Sequence, residues 1–202
     1  MKIITCWAPK GGIGKSTIAV TLAHYIADKK NAKVLLVDAD DQCSIKSCFD
    51  DEELASLVDI ETSLPKDISA YDYVIFDMRP GGFVGNGRLV QSEIQVLKNS
   101  DVIVAPFLPS KLNYESLMAA FQLKFDGVLV PVMNQFKGHV KRHSDAFSKI
   151  DNCLPLKHYE SFGNSEDVGK TIFCKQPYNK GLSDARYDFT NMARDLFKKV
   201  GW

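Results

Sequence analysis

Residues Trp7–Val20 read WAPKGGIGKSTIAV. Gly11, Gly12 and Gly14 lie just before Lys15, Ser16 and Thr17, between a short apolar run and a helical pattern. Glycines at these positions let the chain turn tightly and aim successive N–H groups at one anion. A helix beginning at Lys15 adds the positive end of its dipole. Lys15 is then placed to reach the outer phosphates of a nucleotide, and Ser16 to ligate magnesium. Each charge-assisted hydrogen bond of this kind contributes about 1.5–3 kcal/mol, so several together hold a nucleotide. The general loop pattern, G-x-x-x-x-G-K-[ST], has a glycine where this chain has Pro9. The bland alternative is a glycine turn between strand and helix. Lys10, five residues before Lys15, is a lysine that such a loop does not need. It cannot share the space that Lys15 fills, so it is expected to point outward.

Working outward, short Val- and Ile-rich runs at Ile3–Trp7, Val34–Asp38, Tyr73–Asp77, Val102–Phe107 and Val128–Met133 read as strands. Their nearly continuous apolarity suits strands covered on both faces, hence a parallel sheet. Helical patterns lie between or after them. Lys15–Lys29 places Ile18, Leu22, Tyr25 and Ile26 on one face. Tyr114–Leu123, His139–Ile150 and Ser183–Lys199 follow. In the last, Ser183 is expected to be the N-cap, and Tyr187, Phe189, Met192, Leu196 and Phe197 the apolar stripe. The alternation predicts a doubly wound α/β sheet, mostly parallel, with helices on both faces and right-handed crossovers. Ligands of such sheets bind beyond the carboxyl ends of the strands.

The 202 residues fit one domain, 1–202, and 45% hydrophobic content suffices for a sizeable core. No apolar window of about 18 residues spans a membrane. MKIITCWAPK lacks the charged-then-apolar architecture of a signal peptide, so a cytoplasmic location is expected. Cys6, Cys43, Cys48, Cys153 and Cys174 form no CxxC pair and read as reduced thiols. His24 and His158 do not read as ligands; His139 and His143, four apart, read as part of a solvated basic face rather than a metal site. Net charge is zero but uneven. Residues 36–80 carry 3 basic and 12 acidic side chains, net −9, and residues 131–202 carry 12 and 8, net +4. That asymmetry allows an anionic partner on the C-terminal side.

KGGIGKST (Lys10–Thr17) resembles the deviant Walker A box of the ParA/MinD ATPases. VLLVDADDQ (Val34–Gln42) is similar to that family's second box, and YDYVIFD (Tyr71–Asp77) to its Walker B strand. SDVIVAPFLPSKLNYESL (Ser100–Leu117) resembles the next strand and its proline-bearing loop. The resemblance covers most of residues 1–135, and Pro9 and the short length look most like the small plasmid-partition type. It implies a P-loop NTPase fold and slow, partner-stimulated hydrolysis of ATP to ADP and phosphate. It also implies ATP and Mg²⁺ as cofactors.

The same resemblance implies site roles. Lys10, Gly11, Gly12, Ile13, Gly14, Lys15, Ser16 and Thr17 would cradle the nucleotide, and Lys10, Lys15 and Asp40 would be catalytic. Lys10 would cross a two-fold axis to the partner's ATP as an arginine finger does, a device worth about 10³–10⁵ in rate. Asp40 would orient the attacking water, since a carboxylate with a pKa near 4 is a weak base at pH 7. Asp77 would hold Mg²⁺ through water, with Ser16 and Asp38 in the metal set; for Asp38, support of the loop is the alternative. Asp41 stands where the family has proline and reads as a solvated acid. In MRPGG (Met78–Gly82), Pro80 and Gly81 match the family whereas Met78 and Arg79 do not, and Arg79 has no assigned role. Asn134, after the strand GVLVPVM, occupies the place of an adenine-binding amide; a turn asparagine is the other reading.

The implied system is an ATP-sandwich homodimer that coats nucleoid DNA without sequence preference until a ParB-like centromere-binding protein stimulates hydrolysis. Plausible phosphate contacts are Lys137, Lys141, Arg142, Lys170, Lys175, Lys180, Arg186, Arg194, Lys198 and Lys199. A MinD-like membrane switch calls for an amphipathic tail, and LFKKVGW leaves little chain after the last helix. A metabolic P-loop ligase or kinase has less use for Lys10, and a ParA relative that positions another cargo differs only in its partner. A non-hydrolytic binding module fits poorly with Lys15, Ser16, Asp40 and Asp77 together.

Overall fold

The computed structural model describes residues 1–40, 44–81, 90–121, 125–175 and 182–202. The chain runs β1 (Lys2–Cys6), α1 (Lys15–Lys30), β2 (Val34–Ala39), α2 (Ser44–Cys48), α3 (Glu52–Leu57), β3 (Val58–Glu61) and β4 (Tyr73–Met78). It continues through α4 (Gln91–Asn99), β5 (Val102–Phe107), α5 (Lys111–Phe121), β6 (Val128–Phe136) and α6 (Lys141–Phe147). It ends with β7 (Leu154–Lys157), α7 (Glu160–Gly163), α8 (Ser165–Val168) and α9 (Leu182–Val200). The sheet order is β3-β2-β4-β1-β5-β6-β7 and every pairing is parallel. This is the doubly wound, parallel α/β architecture expected from the alternation, and it agrees with the P-loop NTPase fold that the resemblance implied. The five strands read from the sequence are present, with ends shifted by at most a few residues.

Alternate strand residues face opposite layers, as a pleat requires. Leu36, Ile75 and Val104 face α1 and α9. Leu35, Val74 and Ile103 face the layer that carries α4, and Ala105, Phe107 and Met133 face that of α5. The α1 helix departs from the one-faced expectation: Ile18 through Ala27 are all buried. Helix α3 and the Thr171–Cys174 segment cover the side that a sequence pattern assigns to solvent; His24, for example, bonds Thr171 and lies against the Phe173 ring. In α9, Phe189, Met192, Leu196 and Phe197 form the buried stripe, but Tyr187 is 68% exposed. Ser183 lies inside that helix and is not its N-cap. The helix expected over His139–Ile150 is shorter, and that expected over Tyr114–Leu123 starts earlier, at Lys111. Leu123 lies outside the described residues.

Candidate functional site

Register places the site. Cys6, Asp77 and Asp38 are aligned across β1, β4 and β2 at the carboxyl ends of the strands. There β1 hands the chain to the glycine loop at the point where the strand order switches sides, the expected ligand crevice. Gly12 (φ 68°) and Gly14 (φ 86°) occupy the left-handed region that favours glycine. Gly14 precedes α1 with no side-chain cap, so the first-turn N–H groups remain available to an anion. Gly11 needs no such freedom; a Cβ there would meet Pro80 at an ordinary 3.6 Å. Ile13 and Lys15 are buried, whereas Ser16 and Thr17 are half-buried.

Asn134 braces this loop. Its Nδ2 donates to the Ile13 carbonyl at 2.9 Å and its Oδ1 accepts from Gln135 N at 2.9 Å. A Cβ on Gly14 would stand 2.6 Å from the same Nδ2. The amide is thus already engaged between loop and sheet.

Lys10 does not stand clear of its own chain. It is half-buried, and its Nζ donates to the Leu112 carbonyl in the first turn of α5 at 3.3 Å. The outward orientation expected from the sequence gives way to this contact, because the turn after β5 reaches back toward the loop.

The acids form the other wall. Asp38 is buried, and its Oδ2 accepts from Ile45 N at 3.0 Å and Lys46 N at 3.4 Å, which ties down α2. Its Oδ1 and both oxygens of Asp77 are buried without a hydrogen-bond partner among the described residues. Burial pushes the Asp77 carboxyl up to about 7, with Asp38 and Asp40 adding to the rise. The neighbouring Ser16 hydroxyl and Lys15 ammonium oppose it, although Ser16 does not reach bonding geometry. Burial likewise raises Asp38, against three backbone N–H groups. Asp40, half-buried at the end of β2, is close enough to act on both. Cys6 lies beneath, its thiol raised first by burial and then by Asp77, and therefore inert. Three orphaned carboxylate oxygens beside a hydroxyl are a hard-oxygen set that suits hydrated Mg²⁺. Asp41, Gln42, Cys43, Gly82 and Lys180 lie outside the described residues.

Sequence reasoning missed the partner of Arg79. Its Nε and Nη2 grip the Glu93 carboxylate, the latter at 3.0 Å, and Glu93 also accepts from Val90 N at 2.6 Å. Only half of a capping box is present, since valine at the N-cap has no oxygen to return the bond, so the sequence carried no signal for this pair. His143 is buried rather than solvated, and its Nδ1 accepts from Lys137 N at 3.1 Å. Of the cations proposed for an anionic partner, Arg186 is spent on the Ile172 and Cys174 carbonyls. Lys170 pairs with Asp51 at 3.1 Å and Lys175 with Glu53 at 3.5 Å. These pairs also neutralise the cluster that Asp51 and Glu53 form with Cys174. Lys137, Lys141, Arg142, Arg194, Lys198 and Lys199 are exposed. Cys6, Cys48, Cys153 and Cys174 are free thiols, as expected. Among the described residues no helix is long and apolar enough to cross a membrane.

Comparison with solved structures finds the same fold. A Borrelia burgdorferi B31 protein assigned to plasmid partition, bound to AMPPNP, superposes with a TM-score of 0.71 at 22% identity, covering 98% of this chain and 99% of that one. The ATP complex of a McdA variant from Cyanothece gives 0.71 at 17% identity, covering 97% and 96%. The septum site-determining protein MinD of Pyrococcus horikoshii OT3, complexed with Mg-ADP, gives 0.69 at 17%, covering 99% and 97%. No curated protein matches the sequence. A family model described as an AAA domain, AAA_31, matches residues 1–126. With the glycine loop, the paired acids and this topology in place, the chain belongs to the AAA_31 family of AAA domains and has the fold of the ParA/MinD ATPases.

Proposed function

We propose that the chain is an ATP hydrolase that acts as a nucleotide-bridged homodimer in DNA segregation. The observation that carries this reading is the meeting, at one end of the sheet, of an uncapped glycine loop with buried Lys15 and three oxygens of Asp77 and Asp38 that have no partner among the described residues. The loop amides and Lys15 would bind the phosphates, and Ser16, Asp77 and Asp38 would hold Mg²⁺. The bound ion supplies neutralising charge for the outer phosphates. Asp40 would position the water, a matter of orientation rather than basicity. Asn134 would set the height of the loop, with any contact to adenine left to its second amide hydrogen and the second lone pair of Oδ1. The solved structures with AMPPNP, ATP and Mg-ADP support nucleotide use, and the Borrelia likeness supports plasmid partition. The nearly equal likeness to the septum site-determining protein MinD favours a second reading, in which the same switch positions something other than a plasmid.

Lys10 would serve the partner's nucleotide after leaving the Leu112 carbonyl, a weak contact of 3.3 Å. The dimer would then coat nucleoid DNA and be released by a ParB-like, centromere-binding partner. Sedimentation with Mg-ATP and with Mg-ADP tests the dimer directly. Wild type is expected to dimerise only with ATP, while Lys10→Ala retains ATP binding but loses both dimerisation and turnover. A mutant that hydrolyses ATP as a monomer at the wild-type rate would remove the trans role.

A further inference from the structure

A second concavity opens at the same end of the sheet. The turn after β5, the first turn of α5 and helix α6 enclose a cleft of about 470 Å³, within the roughly 300–1,000 Å³ typical of ligand pockets. Pro109, Tyr114 and Ala146 give it an apolar floor, and Lys111, Arg142 and Lys149 stand around it. Among the described residues Asp145 is its one acid, so that lining carries a net excess of two positive charges. Lys111 lies 3.9 Å from Glu115, both mostly exposed, a pair worth little in water. Among the described residues neither Arg142 nor Lys149 forms an ion pair. The positive field is felt by buried His143, whose imidazole is held neutral first by burial and then by Arg142, Lys137 and His139.

We propose that this cleft docks an acidic peptide segment of a partner protein, with an aromatic or aliphatic side chain on Tyr114 and Pro109 and the adjoining carboxylates on Arg142, Lys111 and Lys149. The planar guanidinium of Arg142 is suited to bidentate carboxylate recognition. Duplex DNA is the lesser fit: its convex, wholly anionic surface would leave the apolar floor wet. The cleft shares the first turn of α5 with the Lys10 contact, since Lys10 is held at Leu112 while Lys111 and Tyr114 line the cleft. An occupant therefore touches the turn that restrains Lys10.

The test is fluorescence anisotropy of a fluorescein-labelled peptide, GEFDELEG, on the nucleotide-free protein, with the amide version GQFNQLQG and a labelled DNA duplex as the other probes. Omitting nucleotide keeps the result independent of whether the chain hydrolyses ATP. Expected are saturable binding of the acidic peptide and at least tenfold weaker binding of the amide version. At least tenfold loss is also expected in Arg142→Glu/Lys149→Glu and in Tyr114→Ala, and none in Arg194→Glu on α9. Unfolding curves check each variant, and Arg142→Gln replaces the double reversal if that fails to fold. Equal binding of the two peptides overturns the proposal, as does undiminished binding by the cleft variants. So does a duplex that binds through Arg142 and Lys149 while the peptide does not.

Discussion

Asp77, which the proposed function assigns to Mg²⁺, stands near the end of β4. Its carboxylate is buried with no donor among the described residues, and that burial lifts its pKa to about 7. Replacing it by Asn removes a buried charge while keeping the shape. Asp77→Asn is therefore expected to raise the Tm of the nucleotide-free protein, at about 2–4 °C per kcal/mol for a chain of this size, while abolishing Mg²⁺-dependent turnover. Calorimetry and a phosphate-release assay check both halves. His24 makes a pH prediction. It is fully buried, one nitrogen bonded to Thr171 Oγ1 at 2.6 Å and Nε2 without a partner among the described residues. Burial lowers its pKa below the ordinary 6.5, against the pull of Glu53, Asp28 and Asp51. The folded state thus binds fewer protons than the unfolded chain in that window. Stability from this group is complete above pH 6.5 and is lost as pH falls from there toward the folded pKa. His24→Gln is expected to flatten the urea midpoint between pH 7 and pH 5 relative to wild type. Neither environment was legible in the sequence, where Asp77 is a strand-end acid and His24 a polar residue in a helix.

At the scale of the element, the Arg79–Glu93 pair joins the end of β4 to the start of α4. Glu93 serves twice, as the partner of Arg79 and as the acceptor for Val90 N. Glu93→Ala removes the carboxylate that Nε and Nη2 of Arg79 grip and the acceptor of Val90 N, and is expected to cost about 1–3 kcal/mol in urea unfolding. Glu93→Gln, which keeps an acceptor, is expected to cost less. Most of the missed elements share a cause. Helices α2, α3, α7 and α8 are four to six residues long, and β3 and β7 are four-residue edge strands, too short to show a period. Helix α4, nine residues long, was missed as well: of its apolar side chains only Ile94 and Leu97 stand at helical spacing. Asp38 capping α2 and Asp51 capping α3 through Glu53 N at 3.0 Å are what hold two of them. Helix α9 was legible because Phe189, Met192, Leu196 and Phe197 repeat at helical spacing; Tyr187, two residues before Phe189 and so about 200° round the helix from it, was wrongly placed in that stripe and looks to solvent.

For the whole molecule, the sheet order turns a linear charge asymmetry into a spatial one. The acidic stretch 36–80 contains β3, one edge, and the basic stretch 131–202 contains β7, the other. On the DNA reading, the ATP-bound state of Arg194→Glu/Lys198→Glu is expected to lose at least tenfold in duplex affinity, with a salt slope flattened by about 0.9 for each phosphate no longer neutralised. Lys170→Ala and Lys175→Ala, whose charges are spent on Asp51 and Glu53, are expected to leave that slope unchanged. Anisotropy over a salt series measures both. The sequence by itself determined the sheet class, the glycine loop and the identity of the strand-end acids, because each is encoded within a few consecutive residues. Tertiary structure decided how they are partnered. Asn134 bracing Ile13 across 121 positions, Lys10 resting on α5, and Asp77 buried away from any donor of the described residues all depend on what the fold brings from far along the chain, and local sequence carries no record of that.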